Sequence, residues 1–164
     1  MRRALLIGWL VAAALAASPA SAQNAWKAGN WNGAPYFNGQ QFSHCAMTVN
    51  FTDGTQLIVQ VTAQLQMFVG ASKTNWNMDP TKQYDVVFEV TGGYKKTFKG
   101  RVTADRRNTI WFTIGNDPEL RRALAGNGTM TWIDAQSARF PFNLAGSDNA
   151  MRKLLACAAL YGAD

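Results

Sequence analysis

Tyr84-Asp85-Val86-Val87-Phe88-Glu89-Val90, then Gly92-Gly93, then Lys95 to Val102, is the stretch that decides the fold. In its first arm Tyr84, Val86, Phe88 and Val90 fall on one face, and Asp85, Val87 and Glu89 on the other. A period of two belongs to a strand, because successive side chains leave a pleated backbone on opposite sides. The glycine pair turns the chain. The second arm returns with Phe98 and Val102 inward and Lys99 and Arg101 outward. This predicts an antiparallel hairpin with one dry and one wet face.

The same signals extend in both directions. Thr109 to Ile114 brings Ile110, Phe112 and Ile114 together. Upstream, His44 to Phe51 alternates, Asp53-Gly54 is a hairpin turn, and Leu57 to Val61 returns. Gln66 to Val69 adds a further short strand, and Ser72 to Pro80 reads as a polar loop containing Asp79-Pro80. Downstream, Asp117 as cap, Pro118 in the first turn, and Leu120 and Leu124 four apart predict a short helix ending near Gly126. Thr129 to Ile133 and Arg139 to Leu144 are a second strand pair. Ser147 is placed as the cap of a last helix, with Met151, Leu154, Leu155, Ala158 and Leu160 on its apolar stripe and Cys157 beside it. Residues 23–41, rich in Asn, Gly and aromatics, show no period and read as an ordered loop or short edge strand. The expected fold is mainly β: an antiparallel β-sandwich or barrel of about eight strands, with a short crossover helix and a C-terminal helix.

The chain has 164 residues. Its beginning reads as an export signal: Arg2-Arg3, an apolar run from Leu5 to Leu15 too short to span a bilayer, and Ala20-Ser21-Ala22 as a cleavage site. Residues 1–22 are therefore expected to be a signal peptide of the general secretory type, cut between Ala22 and Gln23. Residues 23–164 are expected to form a single β-rich domain in the periplasm or secreted, not membrane-spanning after cleavage. The leader carries two of the 16 basic residues and none of the 10 acidic ones, which leaves 14 against 10, a surplus of +4. Cys45 and Cys157 are the chain's two cysteines. In an oxidising compartment such a pair is read as one structural disulfide tying an early strand to the last helix.

The chemistry inventory is thin. His44 is the one histidine; it neighbours Cys45, but adjacent strand residues face opposite ways, and a cysteine in a disulfide is no nucleophile. Its expected role is structural, with the ring hydrogen-bonded to a neighbouring carbonyl. A typical zinc site needs three or four ligands and a calcium loop needs clustered carboxylates, so no metal and no cofactor is expected. An enzyme would have to rely on paired carboxylates, with Asp134 near Asp148 the one conceivable pair.

Two surfaces stand out as binding candidates. Lys95, Lys96, Lys99, Arg101, Arg106 and Arg107 fall within one hairpin and its following loop and suit an acidic envelope protein or an anionic glycan or lipid. Trp26, Trp31 and Tyr36, with Phe37, suit an aromatic platform. Nucleic acid is not an expected partner outside the cytoplasm. The function expected is a non-enzymatic periplasmic binding or interaction module. The alternatives are an inhibitor of an exported hydrolase (lysozyme or a protease), with Ser72 to Pro80 as its inserting loop, and a glycan-acting enzyme.

Three segments carry a resemblance. They are Phe42-Ser43-His44-Cys45-Ala46, then Trp76 followed by Tyr84-Asp85-Val86-Val87, and Phe140-Pro141-Phe142-Asn143-Leu144-Ala145-Gly146-Ser147 leading to Leu154, Leu155 and Cys157. This pattern resembles small secreted alphaproteobacterial proteins similar to the invasion-associated locus B family. The resemblance implies a periplasmic β-sandwich-like domain with a Cys45–Cys157 bridge, no established enzyme activity, and a link to the envelope and, in some bacteria, to host-cell invasion.

Overall fold

The hairpin of Tyr84–Val90 and Tyr94–Val102 is present in the computed structural model, which describes residues 24–162. In chain order the elements are β1 (Trp26–Ala28), β2 (Trp31–Asn38), β3 (Gln41–Asn50), β4 (Thr55–Thr62), β5 (Met67–Lys73), β6 (Tyr84–Val90), β7 (Tyr94–Val102), β8 (Thr109–Gly115), α1 (Pro118–Leu124), β9 (Thr129–Ile133), β10 (Arg139–Asn143) and α2 (Ser147–Tyr161). The export signal expected over residues 1–22, with its cleavage site, lies outside the described residues.

All strands pair antiparallel in one ten-stranded sheet of order β1-β2-β3-β4-β5-β8-β7-β6-β9-β10. The sheet is open, with β1 and β10 as its edges. This corrects the expected barrel and the count of about eight strands. The two extra strands are β1 and β2, in the stretch read as an ordered loop or short edge strand; β1 is such a short edge strand, and β2 is an eight-residue strand inside the sheet. In β2 the burial does alternate, with Trp31, Gly33 and Pro35 inward and Asn32 and Tyr36 outward. Glycine and proline at inward positions hid that period, and pairing with β3 imposed it. Gly33 is required there because the Trp26 ring lies across it, where a Cβ would collide.

The sheet bends round on its own inner face. Trp31 on β2 donates its Nε1–H to the carbonyl of Ala145, just past β10, at 3.1 Å. Phe51 and Phe142 lie 5.5 Å apart between ring centres. Elements near the two ends of the strand order can meet only if the sheet curls. One core results. Met47, Leu57, Val59 and Val69 come from the first half of the strand order and Phe112, Phe88, Met130 and Trp132 from the second. Phe88 stacks on Trp132 at 4.8 Å, and Phe112 meets both rings edge-on.

The helices are as the sequence led one to expect, with one change. Asp117 caps α1, accepting from the Leu120 amide at 2.9 Å. The chain then crosses from β8 over the β6–β7 hairpin to β9, so α1 is the crossover helix. At α2 the cap position belongs to Gly146 in the left-handed conformation, not to Ser147. Ser147 is fully buried, and its hydroxyl donates to the Leu124 carbonyl, joining the two helices. α2 packs on β2 and β3, and the Cys45–Cys157 disulfide bonds them, across 112 residues of sequence. In a chain-entropy account a loop of that size contributes roughly 4.7 kcal/mol as an upper figure. No helix among the described residues is long and apolar enough to cross a membrane.

Candidate functional site

The residues expected to form a basic surface do not gather on one face. Lys95, Lys99 and Arg101 stand on the outer face of β7. Lys96 points the other way, past the Phe98 ring at 5.4 Å, and pairs with Asp117 at 3.0 Å. Lys95 is held by Glu89 at 2.6 Å, and Glu89 also holds Arg139 at 2.7 Å. Arg106 and Arg107 lie in the β7–β8 loop, where Arg107 donates its Nε–H to the Met78 carbonyl at 3.1 Å. Lys99 and Arg101 are exposed and have no ion pair among the described residues. The strand period explains the split, since Lys96 is one residue out of phase with Lys95, Lys99 and Arg101.

The expected aromatic platform is likewise divided, and part of it is corrected. Trp31 is 1% exposed, so it is a core residue. Trp26 is half-buried on the inner side, with its Nε1–H enclosed and without an acceptor. Tyr36 is on the outer face, 47% exposed, and stacks on His44 at 4.9 Å. Phe37 packs on Phe42 and Tyr161. The His44 ring finds the Ser43 hydroxyl at 3.0 Å rather than a carbonyl. Burial lowers the His44 pKa from its ordinary value.

What the ladder does assemble is a row the sequence did not announce. Across the outer face Arg101 lies opposite Trp111, Trp111 opposite Gly70, Gly70 opposite Ile58 and Ile58 opposite Thr48. The neighbouring row runs Phe68, Gln60 and Ala46, with Thr113 opposite Phe68 and Lys99 beside it. The Trp111 indole lies against the backbone at Gly70, where a Cβ would stand 2.6 Å from a ring carbon. Such a glycine inside a strand is a signal of close approach, and Gly70 was the one clue available beforehand. The result is a partly exposed indole packed on the sheet at Gly70, with two unpaired cations near it and Ile58, Phe68, Thr113, Gln60 and Thr48 in the rows beyond.

A second hollow lies at the end of the sheet between the 74–83 loop and the β9–β10 hairpin. Its volume is about 430 Å³, and Trp76, Met78, Tyr84, Val86, Trp132 and Phe140 supply its apolar wall. A neighbouring hollow of about 400 Å³ shares Trp76 and Phe140 and continues to Phe51, Pro141 and Phe142. The loop is fixed in place: the Met78 amide donates to the Arg107 carbonyl at 2.8 Å and the Asp79 amide to the Tyr84 hydroxyl at 2.8 Å. Ser72 and Lys73 belong to β5, so the expected loop insert begins two residues late. Trp132 is 3% exposed, and its Nε1–H has no acceptor. Leaving a buried donor unpaired costs about 1–3 kcal/mol.

Asp134 and Asp148 do not converge. Asp134 sits in the β9–β10 turn and accepts from the Gln136 and Ala138 amides at 2.9 Å each. Asp148 is in the first turn of α2, at the other end of the hairpin, paired with Arg152 at 3.4 Å. Among the described residues no three His, Cys, Asp or Glu side chains gather as metal ligands.

No family model matches the chain, and no curated protein matches it. Among solved structures it is similar to invasion-associated protein B from Bartonella henselae, with a TM-score of 0.54 and 15% identity over 80% of this chain and 95% of that one. At that identity the likeness is one of fold.

Proposed function

We propose that the chain is a non-enzymatic binding module that works outside the cytoplasm and takes an anionic glycan on the outer face of its sheet. The observation that carries this reading is the indole of Trp111 set against Gly70, with Arg101 opposite it in the ladder and Lys99 one row away. An aromatic ring offers a flat apolar surface to the C–H face of a sugar. Unpaired cations beside it attract a carboxylate or phosphate, and Gln60, Thr48 and Thr113 offer hydrogen-bonding partners to hydroxyls. The disulfide supports a site of action in an oxidising compartment. The fold shared with invasion-associated protein B is in keeping with a module of the cell envelope.

Binding of polygalacturonate, with neutral dextran as control, tests this. The polyanion is expected to bind at low salt and to weaken as salt screens exposed charges. The double reversal K99E/R101E should abolish most of that binding while leaving the thermal midpoint unchanged, and W111A should abolish most of it in a protein that still folds cooperatively at a lower midpoint. Equal binding of dextran, or full binding by K99E/R101E at low salt, would refute the reading.

A further inference from the structure

We infer that the hollow under the 74–83 loop is a second binding site, distinct from the outer face, and that its ligand is a neutral acyl ester. Four observations converge. The wall is apolar, formed by Trp76, Met78, Trp132 and Phe140, and its volume of about 430 Å³ lies in the range of small-molecule sites. The hollow meets a second one of about 400 Å³ at Trp76 and Phe140, so the combined space suits a chain rather than a compact ring. Trp132 lines the hollow and carries a buried N–H with no acceptor. The rim carries Asp85 and Asp134 against Lys82, which disfavours a free carboxylate and favours a neutral carbonyl.

The placement follows from the ladder. Phe140 stands directly opposite Trp132 and is 40% exposed on the edge strand. In this proposal the ester carbonyl is the acceptor for the Trp132 N–H, and Phe140 is part of the apolar wall. The acyl chain then runs past Trp76 toward Phe51 and Phe142. The charged groups along that path are already paired, Lys73 with Asp53 at 2.8 Å and Arg139 with Glu89 at 2.7 Å. An added peptide strand is the wrong occupant, because Pro141 interrupts the free edge of β10.

The test is titration of the purified protein, labelled with nitrogen-15 in its indoles, with 1-monodecanoylglycerol below its critical micelle concentration. The Trp132 indole proton is expected to move downfield as it gains an acceptor, while the Trp111 indole stays in place. Decanoate should bind at least about tenfold more weakly than the ester. Trp132→Phe should weaken the ester about tenfold, the worth of one buried hydrogen bond. Phe140→Ser, on the exposed edge, should weaken it without loss of fold. The variants K99E/R101E and W111A should bind the ester normally, which separates this site from the outer-face reading. An unmoved Trp132 proton, or decanoate binding as tightly as the ester, would overturn the inference.

Discussion

At the scale of single residues, Asp117 does three things with one carboxylate. It accepts from the Leu120 amide at 2.9 Å, from the Tyr94 hydroxyl at 3.0 Å and from Lys96 at 3.0 Å. Burial works against its charge, but these three donors outweigh burial and hold its pKa below the ordinary value. Burial first, and then the same contact with Asp117, raises the Tyr94 hydroxyl. Asp117→Ala is expected to cost about 1–2 kcal/mol through the lost cap and the orphaned Tyr94 hydroxyl. A chemical melt reads this, and Asp117→Asn should recover part of it because its amide oxygen can still cap. The cap was legible beforehand from the order Asp117-Pro118-Glu119. Its reach to Tyr94 and Lys96 was not, since those lie 23 and 21 residues away.

At the scale of elements, the edges of an open sheet need protection, because unpaired backbone groups invite other strands. The bonds from the Leu144 amide to the Gly128 carbonyl and from the Asp134 amide to the Ala138 carbonyl set the phase of the β9–β10 ladder. In that phase Phe140 and Phe142 bond inward, while Arg139, Pro141 and Asn143 present their backbone outward. Pro141 therefore removes a donor from the middle of the free edge. At the other edge β1 is three residues long, and the Lys27 carbonyl is taken by Lys153 from α2 at 3.0 Å. Pro141→Val is expected to preserve the monomer's melting temperature within a few degrees and to raise self-association. Sedimentation across a concentration series checks it; a variant as monodisperse as the parent would show that Pro141 is not the guard. The strand pairs were readable from period-two runs, whereas β2 was not, because its inward positions hold Gly33 and Pro35.

For the whole molecule, acid is the predicted weak point. Asp53 is lowered to about 2, first by Lys73 and then by Thr55. Glu89 is lowered by Lys95 and Arg139, and Asp148 chiefly by the Asn149 amide. A carboxylate whose pKa is lower in the fold adds stability above its unfolded value, and that stability is lost as pH falls through the folded one. His44, with its neutral form favoured by burial, acts in the same direction below its ordinary 6.5. The thermal midpoint should decline slightly below pH 6.5 and further between about pH 4 and 2, the exposed pairs adding modestly because water screens them. A midpoint that holds from pH 4 to 2 would show that these groups do not set the acid limit.

By itself the sequence determined what depends on near neighbours. The β6–β7 hairpin, the Asp117 cap, the α2 stripe and the pairing of two cysteines all follow from local period or from there being a single choice. Tertiary structure alone decided the order of the strands, the place of β2, the pairing of Lys96 with Asp117, and the meeting of Trp111 with Gly70. Those outcomes rest on which strand lies beside which. Strand partners are chosen by burial of one shared inner face across the whole chain, and no window of neighbouring residues records that choice.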